Sequence, residues 1–197
     1  GQTTDDRRAA ASPSAAAVAF SGTSAEQAAA MTAAVAAPIP AALGIRPEIA
    51  VAAIPDDERV WVPQADGVWF RPLLLNTVSG GWCNLLRVRR AGVLSRHRHP
   101  MLVVGYVIRG RWKYVEHDWT AETGSFVFEP PGEVHTLMVP ADCPEMITFF
   151  NIQGAMIYVD ADGRQTGYED VFTKIEMCRS HYRDSGLGAA YVDQFIR

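Results

Sequence analysis

Residues 92–110 read GVLSRHRHPMLVVGYVIRG, and residues 124–135 read GSFVFEPPGEVH. In the first segment one residue separates His97 from His99, and on a β-strand this spacing directs both imidazoles to the same face. His135 follows a Pro-Pro-Gly turn and lies in another apolar, strand-like run, so it can reach the same interior from a different strand. Three imidazoles that converge in an apolar β interior predict a metal site.

The chain around these histidines is a series of short runs rich in β-branched and aromatic residues, each bounded by Gly, Pro or Asp. This pattern predicts an antiparallel jelly-roll barrel, so the expected fold class is all-β. The expected strand segments are VWFRPLLL, GWCNLLRVR, VLSRHRH, LVVGYVIR, RWKYVEHDW, SFVFE, VHTLMV, EMITFFNI and GAMIYVD. Asp162-Gly163 predicts a tight turn just after the last of them.

After Gly167 the spacing of apolar residues changes from that of a strand to that of a helix. Apolar residues fall on one face at helical spacing, which predicts an amphipathic C-terminal helix over residues 169–184 that stops at Gly186. These residues are Val171, Phe172, Ile175, Cys178 and Tyr182. The apolar face must pack on the barrel or on another subunit, so we expect a homodimer or homotetramer.

Residues 1–53 are dominated by Ala and carry few large side chains, which predicts an N-terminal extension that is largely mobile. Thr23 and Glu26 can form a capping box for one helix, which Pro38 would end. Large aromatic residues begin to accumulate after Ile54. The predicted domains are therefore the extension, 1–53, and the barrel with its helix, 54–197.

Composition narrows the classes of function. A net charge of −4 with interspersed acids and bases gives no basic stripe, which argues against nucleic-acid binding. The three cysteines are widely spaced, which favours a reduced, cytoplasmic protein. No apolar run approaches the length of a membrane span, so no membrane association is expected. Arg7-Arg8 only weakly matches a twin-arginine export signal, since Asp5-Asp6 precede it and Ser and Pro interrupt the stretch that follows.

The two quoted segments resemble the paired motifs of the cupin superfamily, small β-barrels that hold a metal ion. The first motif matches at His97, His99 and Gly110, and the second at Gly124, Pro130, Gly132 and His135. Val103 and Val104 stand where the family usually has a glutamate ligand, and Val139 replaces an asparagine. The resemblance implies that the three histidines are the metal ligands.

The resemblance covers residues 54–197. It is narrowed by the sequence between the two motifs and by the sequence of the C-terminal segment. They are similar to the 2,4'-dihydroxyacetophenone dioxygenases and, more distantly, to acetylacetone dioxygenase. This likeness implies an iron(II) enzyme that uses O2 to cleave a C–C bond of an α-hydroxyketone or β-diketone into two carboxylic acids. Zinc or nickel could replace iron in a purified sample, because imidazole binds all three metals.

The valines at 103 and 104 bear on the chemistry. Three neutral imidazoles would leave the full charge on a divalent ion, which favours an anionic oxygen chelator such as an enolised ketone. Aromatic side chains alternate around the motifs, so about half should face inward and wall a dry pocket for an aryl ketone. These side chains are Tyr106, Trp112, Tyr114, Trp119, Phe126 and Phe128.

Two carboxylates are candidate catalytic residues. Glu129 precedes the Pro130 turn in an apolar strand and matches an outer glutamate of the acetylacetone dioxygenase motif, where it could orient water or take a substrate proton. It could equally be a solvated residue at a strand end. Glu116 and His117 are adjacent, so only one of them can face inward as a fourth ligand. Both His117 and His181 lack a motif, which favours an ordinary structural role.

A function of a different class is a non-enzymatic metal cupin, such as the zinc sensor domain of an anti-sigma factor. Those sensors carry a separate helical region with its own zinc ligands. Residues 1–53 contain neither Cys nor His, which argues against this alternative.

Overall fold

The structure, a computed structural model, describes Gly44 and residues 46–197. The predicted helix after Thr23 lies outside the described residues. The strands are β1 (Val62–Ala65), β2 (Val68–Leu75), β3 (Trp82–Val88), β4 (Gly92–Arg98), β5 (Val103–Arg109), β6 (Arg111–Tyr114), β7 (Ala121–Glu122), β8 (Phe126–Glu129), β9 (Val134–Val139), β10 (Met146–Ile152), β11 (Met156–Val159) and β12 (Gln165–Glu169). One α-helix, α1 (Val171–Asp184), and short 3-10 turns at Glu58–Val60 and Ala189–Phe195 complete the described part.

The strands form two antiparallel sheets, which confirms the all-β jelly-roll prediction. The first sheet has the order β1-β2-β3-β10-β5-β8, and the second has the order β12-β11-β4-β9-β6-β7. Inward-facing side chains of both sheets, among them Phe70, Val88, Val107, Trp112 and Val139, are fully buried in one core. The motif histidines belong to the second sheet, and β5 and β8 of the first sheet face them.

The helix begins two residues later than predicted. Glu169 ends β12, a strand that we did not predict, and Asp170 caps the helix through a reciprocal pair of hydrogen bonds with Thr173. The predicted turn at Asp162-Gly163 joins β11 to β12, and Gly163 has the positive φ that such a turn needs. The predicted strand over residues 111–119 is also too long, because β6 ends at Tyr114 and a turn follows.

The apolar face of α1 differs from the prediction at two positions. Phe172 is largely exposed, whereas Lys174 is buried beside Val171, Ile175, Cys178 and Tyr182. Position 174 lies three residues after Val171 and four before Cys178, so its burial follows from helical periodicity. The charged side chain therefore points into the barrel.

Fewer of the six aromatic residues near the motifs are buried than the predicted half. Trp112 and Tyr114 are buried, Trp119 is exposed, and Tyr106, Phe126 and Phe128 are exposed on the outer face of β5 and β8. An exposed aromatic face on an edge strand is compatible with an oligomer, which stays a prediction. Within the described residues, no helix combines the length and the apolarity needed to cross a membrane.

The compact unit starts at Arg46, several residues before the predicted boundary at residue 54. Val51 packs on the core, the Arg71 guanidinium donates to the Ala52 carbonyl (2.9 Å), and Arg197 donates to the Pro47 carbonyl (2.8 Å). Arg71 is itself buried. Removing its acceptor would leave a buried charged group without this partner.

We expect the exact point of an N-terminal truncation to matter. Deleting residues 1–45 should leave the free energy of unfolding of the compact unit nearly unchanged. Deleting residues 1–53 should lower it by about 2 kcal/mol, because Val51 and the acceptor for Arg71 are lost. Urea denaturation of both variants measures the difference, and equal stabilities would contradict it.

Candidate metal centre

The three motif histidines meet on the inner face of the second sheet. His97 of β4 and His135 of β9 are directly opposed in the antiparallel register, and His99 lies one residue beyond the end of β4. All three side chains are buried. Their candidate ligand atoms lie within 4.8 Å of one another, and no other such group occurs among the described residues. Small side-chain rotations would bring all three within bonding distance of one ion.

Hydrogen bonds leave one ring nitrogen of His97 and of His99 free for the site. The Ser95 hydroxyl lies 3.1 Å from Nδ1 of His97, and the Ala155 carbonyl lies 3.1 Å from Nδ1 of His99. These contacts orient both rings with Nε2 as the available donor atom. The His135 ring stacks on Tyr114 with its centroid 4.0 Å away, and neither of its nitrogens has a hydrogen-bond partner in the described part of the chain.

The electrostatics favour neutral imidazoles. Burial lowers the pKa of His97 well below its ordinary value, and the neighbouring His99 and His135 lower it further. Burial also lowers the pKa of His99, partly offset by Glu129. Both rings are therefore unprotonated at neutral pH, and their lone pairs are available to a cation without competition from protons.

Glu129 reaches the histidines from β8 of the first sheet. Its Oε2 lies 3.3 Å from Nε2 of His135 and 3.6 Å from Nε2 of His99. Its Oε1 accepts a hydrogen bond from the Tyr114 hydroxyl at 2.7 Å. Burial raises the pKa of Tyr114 well above its usual range and Glu129 raises it further, so the phenol remains a donor.

The register of β5 and β8 explains how this carboxylate arrives. Val103 and Glu129 are direct cross-strand partners, so Glu129 occupies the space beside the position where the family usually carries a glutamate. The carboxyl group that lies next to the three imidazoles therefore comes from a different strand, as the candidate role of Glu129 requires.

The residues fit a divalent metal ion. Buried polar atoms without a partner are costly, and three of them lie together here: both ring nitrogens of His135 and Oε2 of Glu129. A cation among the histidines would bind one ring nitrogen of His135 and would balance the carboxylate. Imidazole nitrogens are suitable donors for iron, zinc, copper and nickel, so the donor set does not select one metal.

Glu116 does not join the site. Its carboxylate accepts hydrogen bonds from the backbone NH and the hydroxyl of Thr136, and it does not line the cavity. His117 lies 2.9 Å from the Glu133 carboxylate and stacks on Trp119. The strand that would have turned one of them inward ends at Tyr114, so Glu116 is no longer a candidate catalytic residue.

A cavity of about 500 Å³ opens in front of the histidines. His97, His99, Tyr114 and Glu129 form one side, and the walls are mainly apolar. Residues that sequence reasoning missed also line it: Gln64, Trp82, Asn84, Phe150, Tyr158, Glu169 and Lys174. None of these belongs to a motif. Only Lys174 carried a detectable signal, since it is a charged residue on the apolar face of a predicted helix.

Solved structures share this fold. An RmlC-like cupin protein from Ralstonia eutropha JMP134 is 27% identical with a TM-score of 0.64, covering 70% of this chain and 90% of that one. An acetylacetone dioxygenase from Acinetobacter johnsonii is 16% identical with a TM-score of 0.57, covering 68% of this chain and 94% of that one. At that identity the second likeness shows the fold alone.

No curated protein matches the sequence. The sequence profile of the ChrR cupin-like domain matches residues 50–157, which is more than half of the chain and includes all three histidines. Together with the two-sheet fold and the histidine site, this match makes the chain a member of the ChrR cupin-like domain family within the cupins.

Proposed function

We propose that the protein is an iron(II)-dependent dioxygenase that cleaves a C–C bond of an α-hydroxyketone or β-diketone with O2. One observation carries the proposal. The unpartnered Oε2 of Glu129 lies beside the three histidines, and Glu129, His97 and His99 line one largely apolar cavity of about 500 Å³, which has room for a small aryl ketone. The likeness in fold to an acetylacetone dioxygenase supports the same class of reaction.

His97, His99 and His135 would hold the iron. When bound, iron(II) would supply a Lewis-acidic site for the oxygens of the ketone and a route by which electrons of the enolised ketone reach O2. The buried rings keep their donor atoms turned to the cavity through Ser95 and Ala155.

Glu129 would take the substrate proton. An α-hydroxyketone must lose a proton from the carbon beside its carbonyl to become an enolate. Oε2 of Glu129 is buried and free of hydrogen bonds within the described residues, while Tyr114 holds Oε1. The proton would move to Oε2 without rotation of the carboxylate.

The cavity walls suit a flat substrate and exclude water from it. Trp82 and Phe150 of the first sheet and Tyr158 of the second line the space in front of the histidines. A dry pocket strengthens the interaction of Glu129 with its proton donor, because water does not screen it. In the overall reaction both atoms of O2 enter the two carboxylic acid products.

The test pairs metal analysis with oxygen consumption. Protein from iron-supplied cells should contain about one iron per chain and should consume one O2 per ketone cleaved, with two carboxylic acids as products. The panel should include 2,4'-dihydroxyacetophenone, 2-hydroxyacetophenone and acetylacetone. Iron-loaded protein that consumes no O2 with any α-hydroxyketone or β-diketone would contradict the proposal.

A second candidate is the non-enzymatic zinc cupin considered from the sequence, and the match to the ChrR cupin-like domain keeps it in view. The same preparation separates the two functions. A binding domain should load zinc from a medium that contains both metals and should show no ketone-dependent O2 uptake after iron is substituted.

The Glu129 carboxylate lies opposite Val103, so a second carboxylate introduced at position 103 should have a measurable effect. Val103→Glu would place a second carboxylate opposite Glu129, with the two Cβ atoms about 5 Å apart in a buried site. We expect the metal-free variant to lose about 2 kcal/mol or more of unfolding free energy, because two buried carboxylates repel. Added metal should restore most of the stability, while activity falls at least about tenfold since the new group competes with the ketone.

Val103→Gln is the matched control, similar in size and uncharged. It should lower activity less than Val103→Glu, and its stability should not depend more strongly on metal than that of the parent. Thermal denaturation with and without zinc measures both. Equal metal dependence of the two variants would show that bulk, rather than charge, acts at this position.

A further inference from the structure

Asn84 is a polar residue in an apolar wall. It lies on β3, its side chain is only 4% exposed, and it lines the cavity between Trp82 and Leu86. Phe150 of β10 is its direct cross-strand partner and lines the same wall. The amide oxygen of Asn84 has no hydrogen-bond partner among the described residues.

An unsatisfied amide in a protein interior is destabilising, whereas a leucine of similar volume would fill this position without that cost. An amide at this buried position therefore indicates that a bound molecule, and not the protein, completes the hydrogen bonds of Asn84. β3 belongs to the first sheet, and His97 and His135 belong to the second. Facing sheets are about 10 Å apart, so a single small molecule can touch the histidines at one end and Asn84 at the other.

A second group of polar side chains in the cavity is paired internally. Lys174 pairs with Glu169 (2.5 Å) and donates to the Gln64 amide oxygen (2.9 Å), and the Tyr158 hydroxyl donates to Glu169 (3.0 Å). This cluster carries no net charge. Arg96 also lines the cavity, but its side chain is 41% exposed and its nearest carboxylate is Glu116 at 3.8 Å.

We propose that Asn84 is a specificity residue that binds a neutral hydroxyl group on the end of the substrate remote from the chelating oxygens. The inference rests on the proposed function, because it presumes that the chelating end lies at the histidines. A hydroxyl both donates and accepts, and so does the Asn84 amide, so the two groups match. A carboxylate at the same place would find no unpaired buried cation to balance it among the described residues that line the cavity.

The test compares ligands that differ only at the remote end. The probes are 2-hydroxyacetophenone, its 4'-hydroxy derivative and its 4'-carboxy derivative, each titrated without oxygen into the iron(II)-loaded protein. The 4'-hydroxy ligand should bind about tenfold more tightly than the unsubstituted one, and the 4'-carboxy ligand should bind at least about tenfold more weakly. In Asn84→Leu the preference for the hydroxyl should disappear while the unsubstituted ketone binds at least as well.

The same variant has a readout that does not involve the ligand. Asn84→Leu should raise the melting temperature, because it removes an unsatisfied polar group from an apolar wall. An equal preference for both ketones in the parent protein would overturn the proposal, as would a hydroxyl preference that survives in Asn84→Leu.

His135→Ala separates this inference from the function on which it rests. If the unsubstituted ketone binds to the parent and not to His135→Ala, the histidine site is the chelating end, and any failure concerns Asn84 alone. If neither the parent protein nor His135→Ala binds any of the ketones, the proposed function itself fails.

Discussion

Replacing His135 with alanine should reduce bound metal from about one ion per chain to a trace and should abolish O2 uptake. The ring lies between His97 and Tyr114, with both nitrogens free of protein hydrogen bonds within residues 46–197, so its main polar role is toward a ligand. Loss of one of three ligands should weaken metal affinity by at least about 100-fold. His97→Ala and His99→Ala should behave alike, and metal analysis after dialysis measures all three.

The matched control is His117→Ala. His117 is another histidine close to Tyr114, but it pairs with Glu133 and lies outside the cavity. This variant should retain metal and activity. The circular dichroism spectra of all four variants should match the parent, because the buried core spans both sheets. A triple variant of the site histidines that still bound one ion per chain would rule out the assignment.

Glu129→Gln should lower kcat by about 100-fold or more while metal content holds. The amide keeps the size of the side chain and can still accept from Tyr114, but it cannot take a proton from the substrate. The three histidines remain to hold the ion. Stopped-flow mixing of ketone with the oxygen-free protein should show slower enolate formation, in step with the fall in kcat. An unchanged rate would remove Glu129 from the mechanism.

Tyr114→Phe provides the graded comparison. The substitution keeps the ring that stacks on His135 and removes only the hydroxyl that donates to Glu129 at 2.7 Å. We expect a fall in kcat of about tenfold, smaller than for Glu129→Gln, because the carboxylate remains but loses the donor that orients it. Metal content should again be unchanged. A fall larger than that of Glu129→Gln would mean that Tyr114 itself contacts the reacting atoms.

Much of the fold could be read from local patterns. The runs VWFRPLLL and VHTLMV coincide with β2 and β9, since β-branched and aromatic residues bounded by turn residues favour strands. The helix was found from its period, and its start was misplaced by two residues because β12 precedes it directly. The strand over 111–119 was overextended because its aromatic content continues past the turn at Val115.

The sequence by itself determined that His97 and His99 share a face, because a strand has a period of two, and the second motif indicated His135 as their partner. Tertiary structure alone decided what surrounds them. The β5–β8 register carries Glu129 to Val103, the end of β6 keeps Glu116 out, and β3 brings Asn84 to the opposite wall. Pairing between strands distant in sequence depends on the packing of the whole barrel, so no local pattern contains it.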